Sequence, residues 1–190
     1  MNKKGFTIAE VLLATVIAVY IFFGAWSIFG VSKTWWEETL HWVDAQRIAR
    51  VTLDSIIRGT IDPTAGTETI GANTYSLRNG IESATSAPTL AANSIRYALE
   101  GDTSNIRSFY LGTDPGTGRN ALFYTSNVNT SVGQGIRPTI GITDVDFATV
   151  SGNTNLIRVT SRVTDTFQGT RPEGYTVSVS LSEDICLRNF

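Results

Sequence analysis

From Phe6 to Val31 this 190-residue chain carries one charged side chain, Glu10, and from Val11 to Val31 it carries none. That run constrains the fold more than any other feature. About 20 apolar residues cross a bilayer at 1.5 Å per residue, and a helix of this composition needs lipid, or other copies of itself, to cover it. A charged side chain inside a membrane-length helix costs roughly 2.5–3.5 kcal/mol on insertion scales, so Glu10 points to a use. The bland alternative is a signal anchor whose glutamate lies shallow enough to reach the headgroups. Lys3 and Lys4 stand just ahead of the run and favour a cytoplasmic N-terminus, with the rest of the chain outside. A cleaved secretory signal fits less well, because its apolar core spans only about 7–15 residues and a small-residue site follows it. Trp26, Trp35, Trp36 and Trp42 suit the far interface of the membrane, where amphipathic rings settle. Trp42 suits packing against a globular domain equally well.

The helix is expected to continue past the membrane. Residues 32–58 contain no Gly or Pro, and Ala45, Ile48, Ala49, Thr52, Leu53, Ile56 and Ile57 fall on one stripe at i, i+3, i+4 spacing. Glu37, Glu38, Asp44, Arg47, Arg50 and Asp54 mostly fall away from it. Gly59 and the Asp62-Pro63 step then end the pattern. A helix over residues 6–58 would be about 80 Å long. Its apolar half covers residues 6–31 and its amphipathic half residues 32–58. Gly24 and Gly30 weaken the apolar half locally by about 1 kcal/mol each relative to alanine, and small residues there also permit close helix packing.

Residues 59–190 read as a β-rich globular domain. Period-two strands are expected at 73–78, 94–100, 106–111, 121–125, 145–150, 156–163 and 175–181, with turn residues between them. In the last of these, Tyr175, Val177, Val179 and Leu181 share one face. Residues 64–93, rich in Ala, Thr, Ser and Gly, read as a long loop region. Successive strands imply an antiparallel sheet, and with one amphipathic helix to cover it the fold class is α+β.

Chemistry is sparse. The net charge is −2, with no run of Lys or Arg, so nucleic acid is an improbable partner. His41 and Cys186 are the only residues of their kinds, which excludes the His/Cys clusters of zinc sites within one chain and any intramolecular disulfide. Cys186 is expected to be a buried small residue on a strand, and His41 a surface or interface residue. The glycine-rich stretch 112–118 lacks the Lys-Ser/Thr of a phosphate cradle. Asp144 and Asp146, with Asp114 or Asp102, are weak candidates for calcium; a solvated strand entrance explains them as well. Nothing calls for a cofactor or a catalytic residue, and the chain does not read as an enzyme.

The stretch GFTIAEVLLATVIA, with Lys3-Lys4 before it, resembles the class III leader of type IV pilins and pseudopilins. The resemblance implies a leader over residues 1–5, removed by prepilin peptidase after Gly5. It also implies N-methylation of the new first residue, Phe6, and a role in filament assembly for Glu10. Without the leader the chain has 13 basic and 17 acidic groups, a net charge of −4. The order of a long helix followed by an antiparallel sheet is similar to the family's fold. SIRYALE followed by IRSFYL, and the ending Cys186-Leu187-Arg188-Asn189-Phe190, lean towards a minor pilin or J-type minor pseudopilin. With a single cysteine, the chain departs from major pilins that close a C-terminal disulfide loop. The implied partners are homologous subunits, the peptidase, a pilus or type II secretion assembly platform, and membrane lipid before assembly. A bitopic adhesin or binding domain that uses the helix only as an anchor is the rival from another class.

Overall fold

The computed structural model describes residues 7–59, 67–70, 73–76, 79–84, 87–99, 102–150, 153–167 and 174–187. Helix α1 (Ile8–Ile57) is continuous for 50 residues, about 75 Å at the standard rise. Its buried residues are Ala45, Ile48, Ala49, Thr52, Leu53, Ile56 and Ile57, the seven that the periodicity assigned to the docking stripe. The helix passes through Gly24 and Gly30 without a break, and a Cβ at either would meet nothing within 4 Å. It stops at Arg58, followed by Gly59 at φ 64°. That left-handed conformation suits glycine just past a helix end.

Among the described residues ten strands follow, all paired antiparallel. The pair β1 (Thr67–Ile70) and β2 (Asn73–Ser76) forms a small hairpin. A five-stranded sheet runs in chain order through β3 (Thr89–Ala91), β4 (Ser94–Leu99), β5 (Asp102–Thr113), β6 (Asn120–Thr125) and β7 (Gln134–Gly135). A second sheet of three strands, β8 (Asp144–Val150), β9 (Asn153–Phe167) and β10 (Tyr175–Cys186), has the order β10-β9-β8. The helix lies on β9 and β10, and β8 touches the larger sheet at β3, β4 and β5. One core therefore takes in the helix stripe, Val159, Val163, Val177 and Val179 of the smaller sheet, and Ile95, Phe109 and Leu122 of the larger. The fold is α+β, as the pattern of one amphipathic helix and successive alternating strands implies.

Three expectations need correction. Residues 64–93 are not one loop region: besides β2, which falls within the strand expected at 73–78, they contain β1, a turn of 3-10 helix at Ile81–Ser83 and β3. These pieces are three or four residues long and mostly polar, so pairing rather than hydrophobic alternation defines them. Strand β7 was not expected for the same reason; it is two residues paired with Phe123 and Tyr124. Cys186 is exposed, not buried. Ile185 and Leu187 point inward at 5% and 3% exposure, and period two turns the residue between them outward.

The strands themselves run longer than their apolar patterns. Strand β10 continues past Leu181 to Cys186 because every residue as far as Cys186 has a partner on β9, ending with Cys186 opposite Leu156. The segments 94–100 and 106–111 do pair, with Ile95 opposite Phe109 and Tyr97 opposite Arg107, and a register shift follows between Tyr97 and Leu99.

The two halves of α1 should respond differently to truncation. Ile56 is fully buried and Ile21 is 67% exposed. Ile56→Ala is expected to destabilise the domain by about 2–5 kcal/mol, whereas Ile21→Ala should leave it unchanged within about 0.5 kcal/mol. Denaturant melts of both variants in detergent check this.

Candidate functional site

Thr7 is the N-cap of α1, with β-region dihedrals of −75° and 150°. Its backbone N–H donates to Oε2 of Glu10 at 2.8 Å, and its hydroxyl donates to the same oxygen at 3.0 Å. In return the Glu10 N–H donates to Thr7 Oγ1 at 3.3 Å. This is a capping box, in which an N-cap residue and the third helical residue satisfy each other's donors. A carboxylate there also faces the positive end of the helix dipole. Sequence reasoning assigned Glu10 to assembly and missed this local role, although Thr7-Ile8-Ala9-Glu10 carries the Thr-x-x-Glu signature. Gly5 and Phe6, the expected cleavage and methylation positions, lie outside the described residues.

Beyond Glu10 the helix surface is bare. Ile8, Leu12, Leu13, Tyr20, Ile21, Phe22, Phe23, Trp26, Ile28 and Phe29 are all more than 60% exposed. Trp26 stacks on Phe22 at 6.2 Å between ring centroids and meets Phe29, tilted, at 6.4 Å. Trp35 and Trp36 are also open, at 65% and 66%, and Trp42 is half exposed. The helix is long and apolar enough to cross a membrane and is compatible with a single-pass anchor.

Where the bare half gives way to the docked half, polar side chains fix the helix to the sheet. His41 Nδ1 lies 3.1 Å from Oδ2 of Asp165, and its ring stacks on Phe167 at 3.9 Å between centroids. Arg119 donates to the other oxygen of Asp165 at 3.3 Å. One turn earlier, the Tyr175 hydroxyl donates to Oε1 of Glu38. A His–Asp pair is two-thirds of a hydrolytic triad. Here, however, both Asp165 oxygens are engaged and one imidazole face is covered, which is the geometry of docking. The sequence could not name Asp165, because 124 positions separate it from His41.

The acidic candidates for calcium are dispersed or already engaged. Strand β8 does begin at Asp144, which pairs with Arg162 of β9 at 3.1 Å, while Asp146 is exposed on the same face. Asp114 closes its own loop, accepting from the Thr117 N–H and hydroxyl at 2.9 and 2.8 Å. The side chain of Asp102 is outside the described residues. Among the described residues no three His, Cys, Asp or Glu side chains cluster as a metal site would need.

Family models, curated proteins and solved structures were all compared with the chain, and none matches.

At the far end of β10, Arg158 grips Asp184 with Nε at 2.6 Å and Nη2 at 2.8 Å. Those hydrogen bonds, with the guanidinium charge, hold the Asp184 carboxyl below its usual range. A carboxyl that is more acidic when folded stabilises the fold above its unfolded pKa of about 4, and loses that contribution as pH falls through the folded value. Asp184→Asn should therefore lower the melting temperature modestly at neutral pH, where the contribution is lost, and leave it nearly unchanged in strong acid, so that its decline below pH about 4 is shallower. Thermal melts across pH, set against the unmodified protein, check this.

Proposed function

We propose that the chain is a structural subunit of a type IV pilus or related filament, of the minor-pilin kind, stored in the membrane through the apolar half of α1. The observation that carries this reading is a single unbroken helix, bare in its first half and docked in its second, with one carboxylate at its head. Prepilin peptidase would cut after Gly5, and the new amine on Phe6 would be methylated. The bare helix would then leave lipid and bundle with those of homologous subunits in a filament outside the cytoplasmic membrane. In that bundle an unpaired Glu10 is expensive. Thr7 donates to Oε2 within the chain but leaves the charge unpaired, and a neighbour's Phe6 amine would pair with it in the filament while setting axial register. A buried polar group that fixes register is the best-attested use of such a residue. A minor pseudopilin of type II secretion or a major pilin would use the same parts.

The rival is a bitopic binding domain for which α1 is only an anchor; the compatibility of α1 with a single membrane pass favours it equally. It needs neither a cut nor a polymer.

Glu10→Ala and Glu10→Leu are expected to insert and be cleaved normally, yet to enter filaments poorly, on the order of ten-fold below the parent if the lost pairing is worth about 1.4 kcal/mol. Immunoblots of sheared filaments against membrane fractions read this directly. Normal incorporation of both variants would end the pairing mechanism.

A further inference from the structure

Between α1 and the start of β10 lies an open groove of about 600 Å³, lined on the helix side by Trp35, Glu38, Thr39 and Trp42. Those four stand at i, i+3, i+4 and i+7, one face of a helix. The same face continues into the docking stripe at Ala45 and Ala49, where the sheet covers it. Below Ala45 the apolar core no longer covers the helix: His41 and Glu38 still meet the sheet, Glu38 accepting from the Tyr175 hydroxyl, while the Trp35 and Trp42 rings stand open beside Tyr175 and Val177. Strand β10 is the outer strand of its sheet, which leaves this side of the groove unroofed.

Position and charge indicate what would fill it. Counted from Ile8 at 1.5 Å per residue, Trp35 stands about 40 Å and Trp42 about 50 Å along the axis. A bilayer with its headgroup layers is about 40–45 Å thick. With α1 spanning, the groove therefore opens at the outer headgroup layer. Its one charged lining residue is the Glu38 carboxylate, and no basic side chain lines it among the described residues. Two tryptophans, a tyrosine and a carboxylate around one cavity make a receptor for an organic ammonium ion, which aromatic faces attract.

We propose that this groove holds the ammonium group of a phospholipid headgroup and so seats the domain on the membrane it is stored in. The inference rests on the membrane-anchored reading of α1 and adds a lipid site to it.

The test uses the full chain in nanodiscs of phosphatidylglycerol alone, or of phosphatidylglycerol mixed equally with phosphatidylethanolamine. Native mass spectrometry then counts the lipid retained on release. The parent is expected to keep phosphatidylethanolamine about three-fold or more over phosphatidylglycerol, and Glu38→Gln or Trp42→Ala to abolish that preference. Glu38→Gln keeps the shape of the wall, so its effect reports charge rather than folding. Trp36→Ala, a more exposed ring outside the groove, should leave the preference intact. Equal retention of both lipids by the parent overturns the proposal, as does equal loss in Trp36→Ala, which would make the effect a general property of interfacial aromatics. Pairs of copies that persist in both discs and dissociate in the groove variants would assign the groove to a second copy and also overturn it. A chain that enters neither disc would bring down the membrane reading itself, and the lipid site with it.

Discussion

The contact between the stripe 45–57 of α1 and strands β9 and β10 is the interaction on which the rest of the structure depends. Most helical stability in proteins comes from packing of an apolar face rather than from propensity. Here that packing is confined to the second half of one 50-residue helix. Because no break intervenes between Ile8 and Ile57, fixing the second half also fixes the direction in which the bare first half projects. The domain and the apolar rod are therefore joined by continuous helix. A hinge at Gly24 or Gly30 would have uncoupled them; both glycines instead stay helical.

Polar contacts sit where the apolar contact runs out. His41 on Asp165 and Tyr175 on Glu38 hold the helix to the sheet just below Ala45, where the core no longer covers it. At the opposite end of the helix, Glu10 is kept by Thr7. One oxygen of the single carboxylate of the apolar half, Oε2, thus accepts both Thr7 donors locally. A neighbouring amine would therefore meet a carboxylate whose orientation the cap already holds.

Most of the architecture was legible in the sequence because its two main signals were long. The stripe from Ala45 to Ile57 repeats over almost four turns, and the alternation through Tyr175, Val177, Val179 and Leu181 covers most of a strand. What failed was short or distant. Strand β7 is two residues whose identity as a strand exists only through Phe123 and Tyr124. Cys186 was judged by its type, whereas its flanking residues Ile185 and Leu187 decided its side of the sheet. Asp165 and Glu38 became partners of His41 and Tyr175 only through tertiary contact. At the candidate site the Thr-x-x-Glu signature of the cap is present in Thr7-Ile8-Ala9-Glu10, overlapping the start of the apolar run.

The central claim is that the apolar half of α1 is a temporary anchor, exposed to lipid first and to other subunits afterwards. Intact-mass measurement on the protein isolated from its native cell surface tests this most directly. Loss of residues 1–5 together with one added methyl group on Phe6 is the expected result. A chain that keeps those five residues and carries an unmethylated Phe6 would contradict it, leaving α1 as a permanent anchor.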